Sequence, residues 1–437
     1  MHPEVQIEYM PVEQLIPYIG NARTHSGKQV AQLAKCIKRF RYIAPVLIDK
    51  NGLLIAGHGR LLAAKHLGLT HIPAIRIEHL TEAERRALTL ADNKITTNAG
   101  WDSNLLRVEL EFLMNTDFDF DADAIGFETP ELNLLINPSQ DPTIEEPIPE
   151  PPQAADLVSQ TGDIWTLGAH RVACGDCRDS ALREMLLKGE QARMVCIDPP
   201  YNVPIAGHVC GNGKHQHNEF KMAAGEMSRA QFIEFLKSSL DALADGCMDG
   251  ALLFCCIDWR HYSDLYQACT ELGLSPVNMA VWVKSNGGMG SLYRSQHELI
   301  LIIKKGTAPH INNVELGKHG RYRSNVWRYA GMNAFGAERD EALSVHPTVK
   351  PTAMIMDAIQ DVTHHGDIVM DSFLGSGTTL IAAQKCQRRC FGIEIEPRYV
   401  DVILQRWMDL TGDQPVHAAS GLSFNEIRAS RLSEKAA

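Results

Sequence analysis

The chain has 437 residues, 45% hydrophobic and 22% charged, a globular balance with material for two or three domains. Full-length disorder, a coiled coil and a disulfide scaffold are excluded, the last because 11 cysteines are too sparse. The net charge of −11 argues against a nucleic-acid partner only until it is divided along the chain. Residues 1–107 carry +5, residues 108–170 carry −14 with no lysine or arginine, and residues 171–437 carry −2. Basic patches outside the acidic segment leave DNA admissible as a partner.

The opening residues, MHPEVQIEYM, lack the basic start and apolar stretch of a secretory signal. Apolar runs such as 251–257 and 299–303 are too short to cross a bilayer. A cytoplasmic, thiol-reducing location without a membrane partner is expected, with most cysteines buried as free thiols.

Residues 1–107 read as a small α+β domain. A strand at 45–48 leads through Asn51-Gly52 to a strand at 53–56. Gly57-His58-Gly59-Arg60 then opens a helix over 61–67, ended by Gly68, and a strand follows at 74–77. This strand–GHGR–helix unit resembles the ParB/sulfiredoxin-like domain, as do VEQLIPYIGNART before it and LTLADNKI after it. The helix-start amides and Arg60 could hold an anion such as a nucleotide phosphate. Sulfiredoxin activity is not expected, because His58 stands where that family has its reactive cysteine. A nucleotide site, an accessory DNA contact and a purely structural module all remain open readings.

Residues 108–160 read as an acidic, helical-looking tail followed by a linker. Six prolines fall between Pro138 and Pro152, and proline both fixes φ and lacks an amide donor.

The remaining unit, residues 161–425, alternates buried runs with helical patterns. Strands are expected at 194–197, 251–257, 280–283, 299–303, 368–370 and 390–395, with helices at 229–243 and 379–386. That alternation predicts an α/β sheet covered on both faces, with ligands at the carboxyl ends of its strands.

Two motifs occupy such ends. Asp198-Pro199-Pro200-Tyr201 follows the strand at 194–197, placing an acceptor side chain, a backbone carbonyl and an aromatic ring together. Asp371-Ser372-Phe373-Leu374-Gly375-Ser376-Gly377-Thr378-Thr379 follows the strand at 368–370 and opens a helix, the context of a ligand-cradling glycine loop. Glu394 ends the next strand, where a carboxylate meets ribose hydroxyls in nucleotide-type sites. A phosphate-binding P-loop is disfavoured, since Thr378 follows Gly377 with no lysine between them.

Together the motifs resemble the amino-group DNA methyltransferases that use S-adenosylmethionine, with DPPY as catalytic signature and FLGSGTT as cofactor loop. DPPY preceding the glycine loop looks like the permuted β-class order, and the resemblance spans roughly residues 161–406. It implies a permuted Rossmann-like fold. His346-Pro347-Thr348-Val349-Lys350-Pro351 resembles the motif that contacts the methionine moiety, which assigns His346, Thr348 and Lys350 to the cofactor. Gly175-Asp176-Cys177 resembles the segment near the adenine, which adds Asp176 and Cys177. Asp371, Phe373, Gly375, Ser376, Gly377, Thr378 and Glu394 complete the expected cofactor set.

The chemistry is limited by the nucleophile, because an exocyclic amine shares its lone pair with the ring. Acceptors for both amino protons would make the nitrogen more nucleophilic, and the Asp198 carboxylate and Pro199 carbonyl are the candidates. A duplex base must be flipped to reach them, and Tyr201 would stack on its face. No covalent base intermediate is expected, since Tyr201 rather than cysteine follows Pro199-Pro200. The Asp form of the tetrapeptide leans to adenine N6 in this family; cytosine N4 is the alternative.

Residues 317–330, GKHGRYRSNVWRYA, interleave Lys318, Arg321, Arg323 and Arg328 with aromatics, and lie where the family puts target recognition. They are expected to contact double-stranded DNA. No metal is expected. Cys174 and Cys177 pair in spacing only with Cys386 and Cys390, and His208, Cys210, His215 and His217 sit in a glycine-rich stretch read instead as a closing loop. A ParB-type regulator with a degenerate methylase half and an RNA methyltransferase are the competing classes. A homodimer would be consistent with the family.

Overall fold

The computed structural model describes residues 6–97, 100–115, 122–136, 148–203, 222–285, 287, 292–316, 323–330 and 350–436. By contacts the chain divides into two units, Met1–Pro138 and Ser139–Ala437.

In the first unit the elements are β1 (Ile7–Pro11), α1 (Gly27–Phe40), β2 (Val46–Ile48), β3 (Leu54–Ala56), α2 (His58–His66), β4 (His71–Arg76), α3 (Glu82–Thr96), α4 (Ser103–Asn115) and α5 (Thr129–Ile136). The strands form a sheet in the order β1-β4-β2-β3, with β2 parallel to β4 and the other pairs antiparallel. Val46, Ile48, Leu54, Leu61, Ala64, Ile72 and Ala74 close its core. Helix α2 starts from Gly57 at φ +97°, where a Cβ would come within 2.8 Å of Val46 Cγ1. Only glycine fits this turn without strain. The acidic tail is folded in its first part, because Leu110, Phe127 and Leu132 bury together beside α4 and α5. Pro138, Pro142 and Pro147 of the expected linker lie outside the described residues.

The second unit contains β5 (Ile164–Leu167), β6 (His170–Cys174), α6 (Ser180–Leu187), β7 (Ala192–Ile197), α7 (Arg229–Asp245), β8 (Cys247–Ile257), α8 (Tyr262–Glu271), β9 (Ser275–Val283), β10 (His297–Lys304), β11 (Val326–Arg328), α9 (Thr352–Val362), β12 (Ile368–Asp371), α10 (Thr378–Lys385), β13 (Arg389–Glu394), α11 (Pro397–Thr411), β14 (Val416–His417) and α12 (Phe424–Ala436). Among the described residues its sheet has ten strands, in the order β11-β9-β10-β8-β7-β12-β13-β6-β5-β14. The centre, β8-β7-β12-β13-β6, is parallel, and β10 and β5 join it antiparallel on either side.

Alternate residues of the central strands feed two cores, one on each face, as strand geometry requires. Met194 and Cys196 of β7 join Leu252, Phe254 and Cys256 of β8 in one core. Val195 and Ile197 join Leu253, Cys255 and Ile257 in the other. This is the expected α/β architecture. The strand before Asp198 precedes the strand before the glycine loop in sequence, yet β7 and β12 are hydrogen-bonded neighbours. Their carboxyl ends therefore open side by side.

Candidate active site

One cleft lies at that edge of the sheet. Asp176, Cys177, Asp198, Pro199, Pro200, Tyr201, Lys350, Asp371, Phe373, Gly375, Ser376, Thr378 and Glu394 all line it. Gly377 stands behind the loop as the left-handed start of α10, at φ +88°, with Ile403 Cγ1 only 3.0 Å from where a Cβ would sit. His346 and Thr348 lie outside the described residues.

At one end of the cleft the Asp198 carboxylate is doubly held. Its Oδ1 accepts from the Tyr201 hydroxyl at 2.5 Å, and its Oδ2 accepts from the Lys350 ammonium. Burial pushes the Asp198 carboxyl above its ordinary range, against the pull of Lys350. Lys350 also reaches Glu298 Oε2 at 3.1 Å, and Lys284 donates to Glu298 Oε1 at 2.5 Å. The result is a compact cluster of two carboxylates and two ammonium groups roofed by Trp282, whose ring lies 4.8 Å from Lys284 Nζ and 5.8 Å from Lys350 Nζ.

At the other end, Glu394 organises the glycine loop. Its Oε2 accepts the Gly375 amide at 2.8 Å and its Oε1 accepts the Glu396 amide at 2.9 Å. Asp371 accepts the Phe373 amide at 2.9 Å and the Thr379 hydroxyl at 2.6 Å. Burial outweighs these bonds and raises both carboxyls to about 7. Asp176 is paired with Arg178 at 2.6 Å, and that salt bridge holds it ionised, below the usual range. Phe373 meets Phe235 edge-on with centroids 6.1 Å apart, giving the cleft an aromatic wall. The Cys177 thiol is pushed up by burial, which keeps it neutral.

The basic run is only partly as expected. Lys318 and Arg321 lie outside the described residues, and Arg328 is exposed on β11. Arg323 is a correction. Its side chain is only 17% exposed, and its guanidinium donates to Asp361 at 2.9 Å, Asp357 at 2.6 Å and the Tyr329 hydroxyl at 2.9 Å. Two carboxylates one turn apart on α9 therefore hold it as a tie between α9 and the segment leading into β11, rather than as a phosphate contact. Arg323→Ala is expected to cost about 3 kcal/mol of stability, because the nearly buried Asp361 carboxylate loses the guanidinium that offsets its charge. Chemical denaturation measures this, and an unchanged midpoint would return Arg323 to the DNA-contact set.

Cys174, Cys177, Cys386 and Cys390 are all buried free thiols. The histidine-containing stretch with His208, Cys210, His215 and His217, expected to be a closing loop, lies outside the described residues.

Sequence reading missed Glu298 and Lys284, and it missed Arg398 and Tyr399, which line the cleft from α11. A signal for Glu298 existed: it is the acidic residue of β10, directly ahead of the apolar run 299–303. In a buried strand such a charge needs a partner.

Comparison with known proteins gives three successive matches along the chain. A ParB N-terminal domain matches residues 2–94, a ParB-methyltransferase HTH domain residues 104–161, and an N6/N4-type DNA methylase residues 192–405. The ParB-like nuclease domain-containing protein YnaK of Escherichia coli K12 is 46% identical over 86 residues, 20% of this chain and 99% of that protein. The type II methyltransferase M.BglII of Bacillus subtilis is 29% identical over 158 residues, 31% of this chain and 43% of its own length. Among solved structures, the M1.HpyAVI–SAM complex has a TM-score of 0.38 at 20% identity, over 54% of this chain and 98% of that one. PvuII DNA methyltransferase, cytosine-N4-specific, has a TM-score of 0.44 at 14% identity, over 63% and 97%. The chain carries a ParB N-terminal domain fused ahead of an N6/N4 DNA methylase domain.

Proposed function

We propose that the chain transfers a methyl group from S-adenosylmethionine to the exocyclic amine of a flipped base in double-stranded DNA, adenine N6 in preference to cytosine N4. The observation that supports this is the meeting, in one cleft, of Asp198 at the end of β7 with the glycine loop at the end of β12.

The cleft fits the donor. Asp371 and Glu394 are buried carboxyls that hydroxyls and a nearby cation would stabilise in their ionised form, and Phe373 with Phe235 offers an apolar wall to a purine. When bound, the donor supplies a methyl group already activated on a sulfonium. The residues of the chain supply position and acceptors. The Asp198 carboxylate and the Pro199 carbonyl accept the two amino protons and draw the lone pair out of conjugation. Tyr201 stacks on the base. As the nitrogen–carbon bond forms and the carbon–sulfur bond breaks, the surplus amine proton passes to Asp198 and then to solvent.

The described, exposed Arg328 would meet phosphate. In the first unit, Arg60 at the start of α2 would hold the phosphate of a nucleotide. His58 is taken up there, its ring nitrogen lying 3.2 Å from the Tyr18 amide. Titration of the full chain with labelled CTP tests this, and no binding leaves that unit a scaffold. The methylase reading is tested by base-resolved mapping of DNA from cells making the protein. N6-methyladenine at a fixed short sequence is expected; N4-methylcytosine would correct the base, and unmodified DNA would count against the reading.

A further inference from the structure

Both oxygens of Asp198 are occupied, one by the Tyr201 hydroxyl and one by the Lys350 ammonium. Each oxygen keeps a further lone pair, but the charge these two donors draw off weakens the carboxylate as an acceptor, and an incoming amine meets a stronger one when the ammonium or the hydroxyl lets go. Glu298, near the start of β10, lies within reach of both. Its Oε2 is 3.1 Å from Lys350 Nζ and 3.5 Å from the Tyr201 hydroxyl.

We propose that Glu298 is a positioning residue: it takes over Lys350 and Tyr201 when the target amine arrives, and so frees Asp198 to accept the amine's protons. The proposal rests on the methyl-transfer reading of this cleft. Glu298 suits the task because it cannot follow its partners. Its strand is paired on both sides, to β8 and to β9, and its second oxygen is fixed by Lys284. Lys350 and Tyr201 therefore need only rotate between two acceptors that already flank them.

The groups facing Glu298 are Lys284, Lys350, Asp198, Tyr201 and Cys256. Burial works against its charge, yet Lys350 and Lys284 bring its carboxyl down to about 2. Asp198 is instead raised by burial, and the like charge of Glu298 adds to that. The Tyr201 hydroxyl and Cys256 thiol are pushed well up and carry no charge. Both carboxylates face the Lys350 ammonium, and a shift of the ammonium toward Glu298 leaves the charge count of the cluster unchanged.

Glu298→Gln keeps the shape and removes the charge. It is expected to lower kcat about 10²-fold, the usual consequence of a misplaced reacting group, while the KM values for DNA and S-adenosylmethionine hold. The acidic limb of the kcat profile should move to lower pH, because Asp198 loses a like-charged neighbour and ionises more easily. Glu298→Gln with Lys284→Gln removes one buried charge of each sign, so it keeps the cluster balanced if the single variant folds poorly. It should show the same loss of kcat. An unchanged kcat in either folded variant, or a raised KM with an unmoved pH limb, would overturn the proposal. A wild-type protein that leaves DNA unmethylated would remove the methyl-transfer reading and this inference together. A methylating wild type with unimpaired variants would remove this inference alone.

Discussion

Asp198→Ala is expected to abolish methyl transfer to DNA, by at least roughly 10³-fold, while S-adenosylmethionine still binds. The size of the effect follows from what the side chain does. On the proposed mechanism it is the side-chain acceptor that makes the amine nucleophilic, and the Pro199 carbonyl alone can take only one of the two amino protons. The variant should remain folded, because Lys350 keeps Glu298 as a partner at 3.1 Å. Binding is expected to survive because the loop end of the cleft is held by Glu394 and Asp371, whose hydrogen bonds do not include Asp198. Calorimetric titration of the cofactor beside a turnover assay separates the two effects. Loss of binding together with turnover would mean that Asp198 shapes the cofactor site instead.

Glu394→Ala is expected to do the reverse, weakening S-adenosylmethionine binding roughly 10²-fold or more. It removes the acceptor of the Gly375 and Glu396 amides, each bond being worth about 1.5–3 kcal/mol once the carboxyl is ionised, and, on the proposed reading, the acceptor for the ribose hydroxyls of the donor. The same residue makes stability depend on pH. Its carboxyl sits at about 7 in the fold, above the ordinary value of 4.5, so the folded protein holds a proton that the unfolded chain has released. The stability it contributes is full below about pH 4.5 and is lost as the pH rises to about 7, up to roughly 3 kcal/mol. Asp371 acts in the same direction. Glu394→Gln should therefore show a shallower fall in stability over that window than the wild type. An identical pH dependence in the two proteins would show that Glu394 is already ionised there.

The central sheet was legible because its strands are buried on both faces and so read as continuous apolar runs between amphipathic helices. β7, β8, β10 and β12 all emerged this way. The hairpin of β5 and β6 did not, since short strands carrying His170 and Arg171 have no such run, and β14 has only two residues. The motif residues could be found because DPPY and FLGSGTT are local: each is contiguous and ends a strand. Glu298 was hidden because its meaning depends on Lys284, Lys350 and Asp198, which meet it only once β10 is paired with β9 and β8. Arg323 misled for the same reason. Its basic, aromatic neighbours suggested a nucleic-acid surface, whereas the carboxylates that claim it, Asp357 and Asp361, stand on a later helix.

The proposed reaction transfers a methyl group to an amino nitrogen of DNA from the cleft at Asp198. The most direct measurement incubates the purified protein with isotope-labelled S-adenosylmethionine and unmethylated duplex DNA, then resolves the digested nucleosides by mass spectrometry. Label in N6-methyladenine is the expected result, and label in N4-methylcytosine would keep the chemistry while changing the base. Label in 5-methylcytosine, or no label in DNA despite demonstrated cofactor binding, would contradict the account.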